Sequence, residues 1–575
     1  MTTPPWKPIA EHYQASRDAA IPSKWLLPPA QVQQLRQAAN PRVRDAALAV
    51  LDPSELEITA LDATELAARI RQRTLSCVAV ANAFCHSAAI AQQLTNCLTE
   101  IFFHEALTRA RELDEMLATT GGRPVGPLHG VPVSVKDHYN VRGHPTTAGY
   151  IAYAKTDGSA GSNEANNKQR DAHIVDVMRR AGAVLYAKTN NPQCMMVLET
   201  VSNIYGRTLN PWNLRLAAGG SSGGEAALIA QRGSPLGIAS DIGGSIRVPA
   251  AFNGMYGFKP SGKRVPTGGW ECTNSGAESI TAVAGPIARS VRDLDLFMQV
   301  TSDARPWLRE PLLTMPWRTR LESSSPLAGG QGSKLKVGVM RWDEVVMPHP
   351  CITRVLDETA EKLRQAGHQV IDFKPYNHKR AWDEILLPLY FTDGGKDIKN
   401  TLDAGQEEML PCASELLHDP IVRECSIHEV WKLNIARDYY RSEYLQRWAD
   451  TAKHSSSTFE EKPMDILICP AAPIVATPHD FKPWWGYGAH WNLLDYPSGV
   501  LPAGQVLAGD AYPEGYRSVN ELDRKNVELW DNSMYLGMPV AIQVVGLTHE
   551  DEAVVGAMGV IDRLVNPEKY PPLTD

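Results

Sequence analysis

Residues 218–260 read AGGSSGGEAALIAQRGSPLGIASDIGGSIRVPAAFNGMYGFKP. Two Gly/Ser turns, Gly219–Gly224 and Asp241–Ser245, each run into a helix-forming stretch, Glu225–Gln231 and Ile246–Phe252. Between them Leu236–Ser240 reads as a short buried strand that ends at the second turn. Strand, glycine turn and helix in that order are α/β texture. Successive glycines let the backbone take positive φ and bring several amide N–H groups together. Amides converging at the start of a helix attract negative charge.

Three uses compete for such a site, beside the plain reading of both segments as ordinary turns. A nucleotide phosphate is the first, but neither GxxxxGK[ST] nor GxGxxG occurs here. The nucleophile elbow of α/β-hydrolases is the second. Gly219-Gly220-Ser221-Ser222-Gly223 matches GxSxG formally, yet Gly/Ser-rich text matches that pattern cheaply, and no downstream Asp and His stand out as partners. The third is an oxyanion hole beside a nucleophile taken from Asp241-Ile242-Gly243-Gly244-Ser245.

A serine nucleophile needs a base, and Ser–Lys pairs are known variants of the usual Ser–His arrangement. A lysine serves only when neutral, which burial and nearby positive charge promote. Lys136 closes the apolar run Val131–Val135, and Lys188 closes Val184–Ala187. Lysines seldom end apolar strands except by reaching water, and composition does not choose between these two.

Outward from this block the α/β texture continues. Asp176–Ala181 reads as the end of a helix capped by Gly182. Leu335–Met340, a helix with Ile352, Leu356, Thr359 and Leu363 on one face, a Gly367 cap and Gln369–Phe373 make a βαβ unit with parallel strands. Asp465–Cys469 and Val540–Val545 read as further buried strands. Upstream, Leu66 and Ile70, then Val80 and Phe84, mark core-facing helices, with Ser76 as an N-cap. Residues 303–333 read as an exposed connection, and the aromatic stretch 481–497 (FKPWWGYGAHWNLLDYP) as a loop near a pocket. The expected organisation is an N-terminal helical arm over 1–50, with a short polar helix at Ala30–Ala38, followed by one catalytic domain over 51–575.

Composition narrows the function classes. Across 575 residues, 43% hydrophobic and 21% charged content is ordinary for a globular chain. A net charge of −8 gives no electrostatic reason to bind nucleic acid. The nine cysteines show no zinc-binding spacing, and an odd count fits poorly with a full disulfide framework. No apolar signal region opens the chain, no apolar run reaches transmembrane length, and the last residues are not a peroxisomal address. The expected location is cytoplasmic.

Several blocks together carry a resemblance. GGSSGGEAALIA and GSPLGIASDIGGSIRVPAAFNGMYGFKPS resemble the amidase signature, and GPLHGVPVSVKDHYNVRG resembles that family's lysine segment. AGAVLYAKTNNPQ, MDILICPAAP and LGMPVAIQVVG resemble its further blocks, in the family's order, over roughly residues 60–550. NCLTEIFFHEALTRARELDE and the N-terminal arm are most similar to the fungal acetamidase and general amidase branch. The resemblance implies the amidase signature fold, a central mixed twisted β-sheet covered by helices on both faces. It implies a Ser–cisSer–Lys triad with Ser245 as nucleophile, Ser221 as the bridging serine after a cis bond and Lys136 as base. That choice demotes Ser221 from nucleophile to relay. The oxyanion would rest on the N–H groups of Ile242, Gly243, Gly244 and Ser245. Met195 and Ser221 would contact substrate, Asp241 and Arg247 would brace the turn, and Ser222 would orient the lysine amine. No cofactor or metal is implied. The partner is a small-molecule amide rather than nucleic acid, and homodimers occur among related enzymes. Asn191 and Cys194 occupy variable positions, which bears on pocket shape.

Other functions compete. The same triad serves esterases and carbamate hydrolases. An amidotransferase subunit of a tRNA-dependent complex is opposed by the N-terminal arm and the lack of a basic segment to face RNA. A non-catalytic binding module on this fold is opposed by the presence of Lys136, Ser221 and Ser245 together.

Overall fold

The computed structural model describes residues 4–38, 42–154, 169–318, 334–454 and 462–569. Its centre is one mixed sheet of 11 strands. In chain order these are β1 (Leu98–Ile101), β2 (Pro132–Lys136), β3 (Val184–Thr189), β4 (Leu236–Asp241), β5 (Tyr256–Lys259), β6 (Val283–Ala288), β7 (Lys336–Val339), β8 (Gln369–Asp372), β9 (Ile466–Pro470), β10 (Ser498–Gln505) and β11 (Pro539–Val545). In space they run β1-β3-β2-β4-β6-β5-β10-β11-β9-β7-β8. Two parallel groups, β3-β2-β4 and β9-β7-β8, are joined through an antiparallel middle.

The strands explain why this sheet is an interior layer. β2, β3, β4, β6, β9 and β11 are buried at every position. Alternate side chains of a strand point to opposite faces, so complete burial requires helices over both faces. The helix Pro350–Gln365 buries Ile352, Leu356, Thr359 and Leu363 and joins the parallel pair β7 and β8, with Gly367 beyond it at φ +84. The helix Cys77–Thr95 starts on Ser76, whose Oγ accepts from the Ala79 N–H at 3.1 Å. Its alanine-rich sequence leaves little to project, and it is buried on nearly every side.

The first helix packs on this frame. In the helix Lys7–Ala19, Arg17 donates to Asn96 Oδ1 at 3.0 Å and to the Leu98 carbonyl at 3.2 Å. Gln14 of the same helix donates to the Ile204 carbonyl at 2.7 Å. The polar helix expected at 30–38 forms at Pro29–Gln37. Of the connection expected at 303–333, everything from residue 319 lies outside the described residues.

One expectation is corrected. The aromatic stretch 481–497 is not a loop throughout, because Gly486–Leu493 is a helix with all its residues buried. Its density of aromatics suggested a loop near a pocket, but the stretch holds a helix in which Gly488 is a packing residue. A Cβ there would stand 2.9 Å from the Gly243 carbonyl oxygen, so only glycine lets this helix lie directly against the Asp241–Ser245 turn.

Candidate active site

β2 ends on Lys136, which has no exposed surface. Its Nζ donates to Ser221 Oγ at 2.7 Å and to Ser240 Oγ at 3.0 Å. Burial pushes its pKa down to about 7, against the opposing pull of the Asp241 and Glu225 carboxylates. Glu225 lies beneath, its carboxylate accepting from Ser134 Oγ and, at 2.7 Å, from Thr189 Oγ1.

Lys188 ends the neighbouring strand and is equally buried, but its surroundings differ. Its ammonium donates to the Pro145 carbonyl at 2.6 Å and to Thr146 Oγ1 at 2.8 Å, and it stands 3.5 Å from Asp137 Oδ1. It is tied to a carboxylate and to loop atoms, and the serines are bonded to Lys136.

Ser221 follows the cis Gly220–Ser221 peptide bond and precedes the helix Gly223–Ala230. Ser222 N–H donates to the Ser245 carbonyl at 3.2 Å, which ties the two glycine–serine turns together. Ser222 Oγ donates to the Ser240 carbonyl at 3.4 Å and not to the lysine; the side chain bonded to the amine beside Ser221 is Ser240. The sequence reading missed Ser240. The signal was available, since it is the last residue before Asp241 on the strand next to β2.

The turn from β4 into the helix Arg247–Phe252 carries Ser245. Asp241 organises it. Its Oδ1 accepts from the Gly244 N–H at 2.9 Å, and its Oδ2 accepts from the Ile246 N–H at 3.0 Å. Arg247 Nε and Nη2 complete a two-pronged pair with the same carboxylate at 3.0 and 2.9 Å. Arg247 also donates to Gln543 Oε1 and Asn492 Oδ1, both at 2.7 Å. Burial alone would push the Asp241 pKa up, but the Arg247 charge and its hydrogen bonds hold it well below the ordinary carboxylate range. Both partners are fully buried, so the pair is an internal brace. Gln543 lies in the LGMPVAIQVVG block and Asn492 in the aromatic helix, and neither was singled out from sequence.

Engagement of the Gly244 N–H by Asp241 revises the expected oxyanion donors. The N–H groups of Ile242, Gly243 and Ser245 have no partner among the described residues. Gly244, at φ +116, supplies the conformation of the turn. Ser245 Oγ likewise makes no hydrogen bond among the described residues, to Ser221 or to any other group.

Ser221, Ser240, Ile242, Ser245 and Met195 line one cavity of about 580 Å³. Met195 and Cys194 both sit at positive φ, +55 and +60, on the loop after β3. Asn191 lies on the same loop with its side chain buried, donating to the Pro192 carbonyl at 3.2 Å.

Comparison with known proteins agrees with this frame. The amidase family matches residues 79–555. An amidase of Gibberella zeae is 40% identical over 570 residues, covering 97% of this chain and 99% of the relative. An acetamidase of Emericella nidulans is 37% identical over 562 residues, covering 97% and 98%. Among solved structures, a fatty acid amide hydrolase superposes with a TM-score of 0.89 at 33% identity, covering 98% of this chain and 96% of that one. Fold and relatives together define an amide-hydrolysing enzyme of the α/β class. The chain belongs to the amidase signature family.

Proposed function

We propose that the enzyme cleaves carboxylic acid amides to acid and ammonia or amine through an acyl-enzyme on Ser245. The observation that carries this reading is the contact between a fully buried Lys136 and Ser221, beside the turn that presents Ser245. Neutral Lys136 takes the Ser221 proton while Ser221 takes the Ser245 proton. Ser245 Oγ then bonds to the amide carbon, and the carbonyl oxygen becomes an oxyanion held by the N–H groups of Ile242, Gly243 and Ser245. One such donor is worth on the order of 3 kcal/mol in the transition state. The proton returns from Lys136 through Ser221 to the leaving nitrogen, the C–N bond breaks, and water releases the acid from Ser245.

Asp241 and Arg247 hold the turn, Ser240 orients the lysine amine, and Ser222 acts through the Ser240 carbonyl. Met195 shapes the substrate cavity. An acetamidase and a fatty acid amide hydrolase both stand among the relatives. A panel from acetamide through benzamide to long-chain amides is therefore the useful substrate test. All nine cysteines are free, which supports a reducing, cytoplasmic setting. Among the described residues no helix is long and apolar enough to cross a membrane. An N-terminal arm over 1–50 precedes one catalytic domain over 51–575.

The test is Ser245→Ala. It abolishes turnover across the amide panel while circular dichroism and the melting temperature stay near wild type. Undiminished turnover removes Ser245 as nucleophile.

A further inference from the structure

The peptide between Ile242 and Gly243 is gripped at its carbonyl. Tyr390 Oη donates to the Ile242 carbonyl oxygen at 2.6 Å. The Gly243 N–H at the other side of the same peptide has no partner among the described residues, and it lies between Ile242 and Ser245, which both line the cavity. Tyr390 lines the cavity too, although only 4% exposed. Its ring stands edge-on to Trp485 with centroids 6.2 Å apart. A Cβ on Gly243 would lie 3.2 Å from Tyr390 Oη and 3.7 Å from the Trp485 ring, so hydroxyl, indole and turn pack against one another.

We propose that Tyr390 is a positioning residue for the oxyanion pocket, holding and polarising the Ile242–Gly243 peptide so that the Gly243 N–H donates more strongly. This rests on Ser245 being the nucleophile. Peptide resonance moves charge from nitrogen to oxygen. A donor at the oxygen favours that shift and leaves the N–H a better donor, so Tyr390 Oη–H, the Ile242 carbonyl, the Gly243 N–H and the oxyanion form one cooperative chain. A donor fixed in advance needs no reorganisation as charge develops. The charge exists only in the transition state, so the effect falls on kcat and leaves KM alone. Nothing in the local sequence Pro388-Leu389-Tyr390-Phe391 marks this role, because it depends on where the chain returns in space.

The test is Tyr390→Phe, which keeps the ring against Trp485 and removes only the hydroxyl. Benzamide kinetics are expressed per molecule titrated to end-point with a fluorophosphonate, so any misfolded fraction drops out. Phenyl trifluoromethyl ketone serves as the oxyanion analogue and the unactivated, uncharged acetophenone as the ground-state ligand. The expected result is a fall in kcat of about tenfold with KM and acetophenone affinity unchanged, the net worth of one neutral hydrogen bond. Ketone affinity falls by the same factor. Unchanged kcat and ketone affinity, or a loss confined to KM, overturns the role of Tyr390 while leaving Ser245 in place. Wild-type enzyme that is not labelled at Ser245 overturns the reading on which the proposal rests.

Discussion

Lys136 Nζ and Ser221 Oγ stand 2.7 Å apart, one at the end of a strand and the other at the start of a helix reached after a separate strand, β3. Lys136 has no exposed surface, and among the described residues its amine has no carboxylate in direct contact. Lys188 shows the alternative on the next strand, where Asp137 and loop oxygens claim the ammonium. Both lysines are equally buried, so what distinguishes them is their partners, serine hydroxyls at Lys136 and a carboxylate with loop oxygens at Lys188.

Burial brings the Lys136 pKa down to about 7. Below that value the ammonium form dominates and accepts no proton; above it the free amine does. The kcat/KM for an amide therefore climbs about tenfold per pH unit below pH 7 and levels off above it. A profile that stays flat between about pH 5 and 8 contradicts the assignment of Lys136 as base.

Replacing the proposed base separates leaving groups. In the proposed mechanism, Lys136→Ala removes both the acceptor for the Ser221 proton and its return to the departing nitrogen. Amide kcat/KM falls by about 10³- to 10⁴-fold, the upper range for a general acid–base group. The matching ester falls less, because an alkoxide leaves with less help than an amine. Paired rates on an amide and an ester of the same acid check this, and equal losses argue against the relay.

Arg247→Met leaves the Asp241 carboxylate buried without its cation, while Asn492 Nδ2 still donates to it at 3.0 Å. Breaking one side of a buried pair costs about 3–5 kcal/mol. The midpoint of urea unfolding drops accordingly, and amide turnover falls with it because the Ser245 turn loses its brace. A change under about 1 kcal/mol would place the pair among contacts of little consequence.

Gly244 is tested by Gly244→Ala. At φ +116 a side chain is strained, and its Cβ would meet Val248 Cγ2 at 3.0 Å. The turn must shift, and kcat falls about 100-fold, as for loss of an oxyanion donor. Wild-type kcat in this variant would show that the turn does not set the rate.

The sequence was most legible where local chemistry repeats. Leu236–Ser240 as a strand, the helix after each glycine turn, and the βαβ unit around Ile352–Leu363 all follow from periodicity and glycine punctuation, and all form. What escaped the reading is what long-range return supplies. Gln543 and Asn492 meet Arg247 from positions 296 and 245 residues away, and Tyr390 meets Ile242 across 148. The stretch 481–497 failed because its crowded aromatics looked like a loop near a pocket, whereas it holds a buried helix that Gly488 lets approach Gly243. Ser222 was expected to hold the amine, but Ser240 does, since the parallel register of β2 and β4 brings that hydroxyl alongside Lys136.

The central claim is that Ser245 carries the acyl group and Ser221 relays its proton. Labelling with a fluorophosphonate, followed by digestion and mass mapping, tests it most directly. The account predicts the adduct on Ser245, in the peptide containing Asp241-Ile242-Gly243-Gly244-Ser245, and its loss in Ser245→Ala. An adduct on Ser221 would contradict it and restore the Gly219–Gly223 elbow as the nucleophile site.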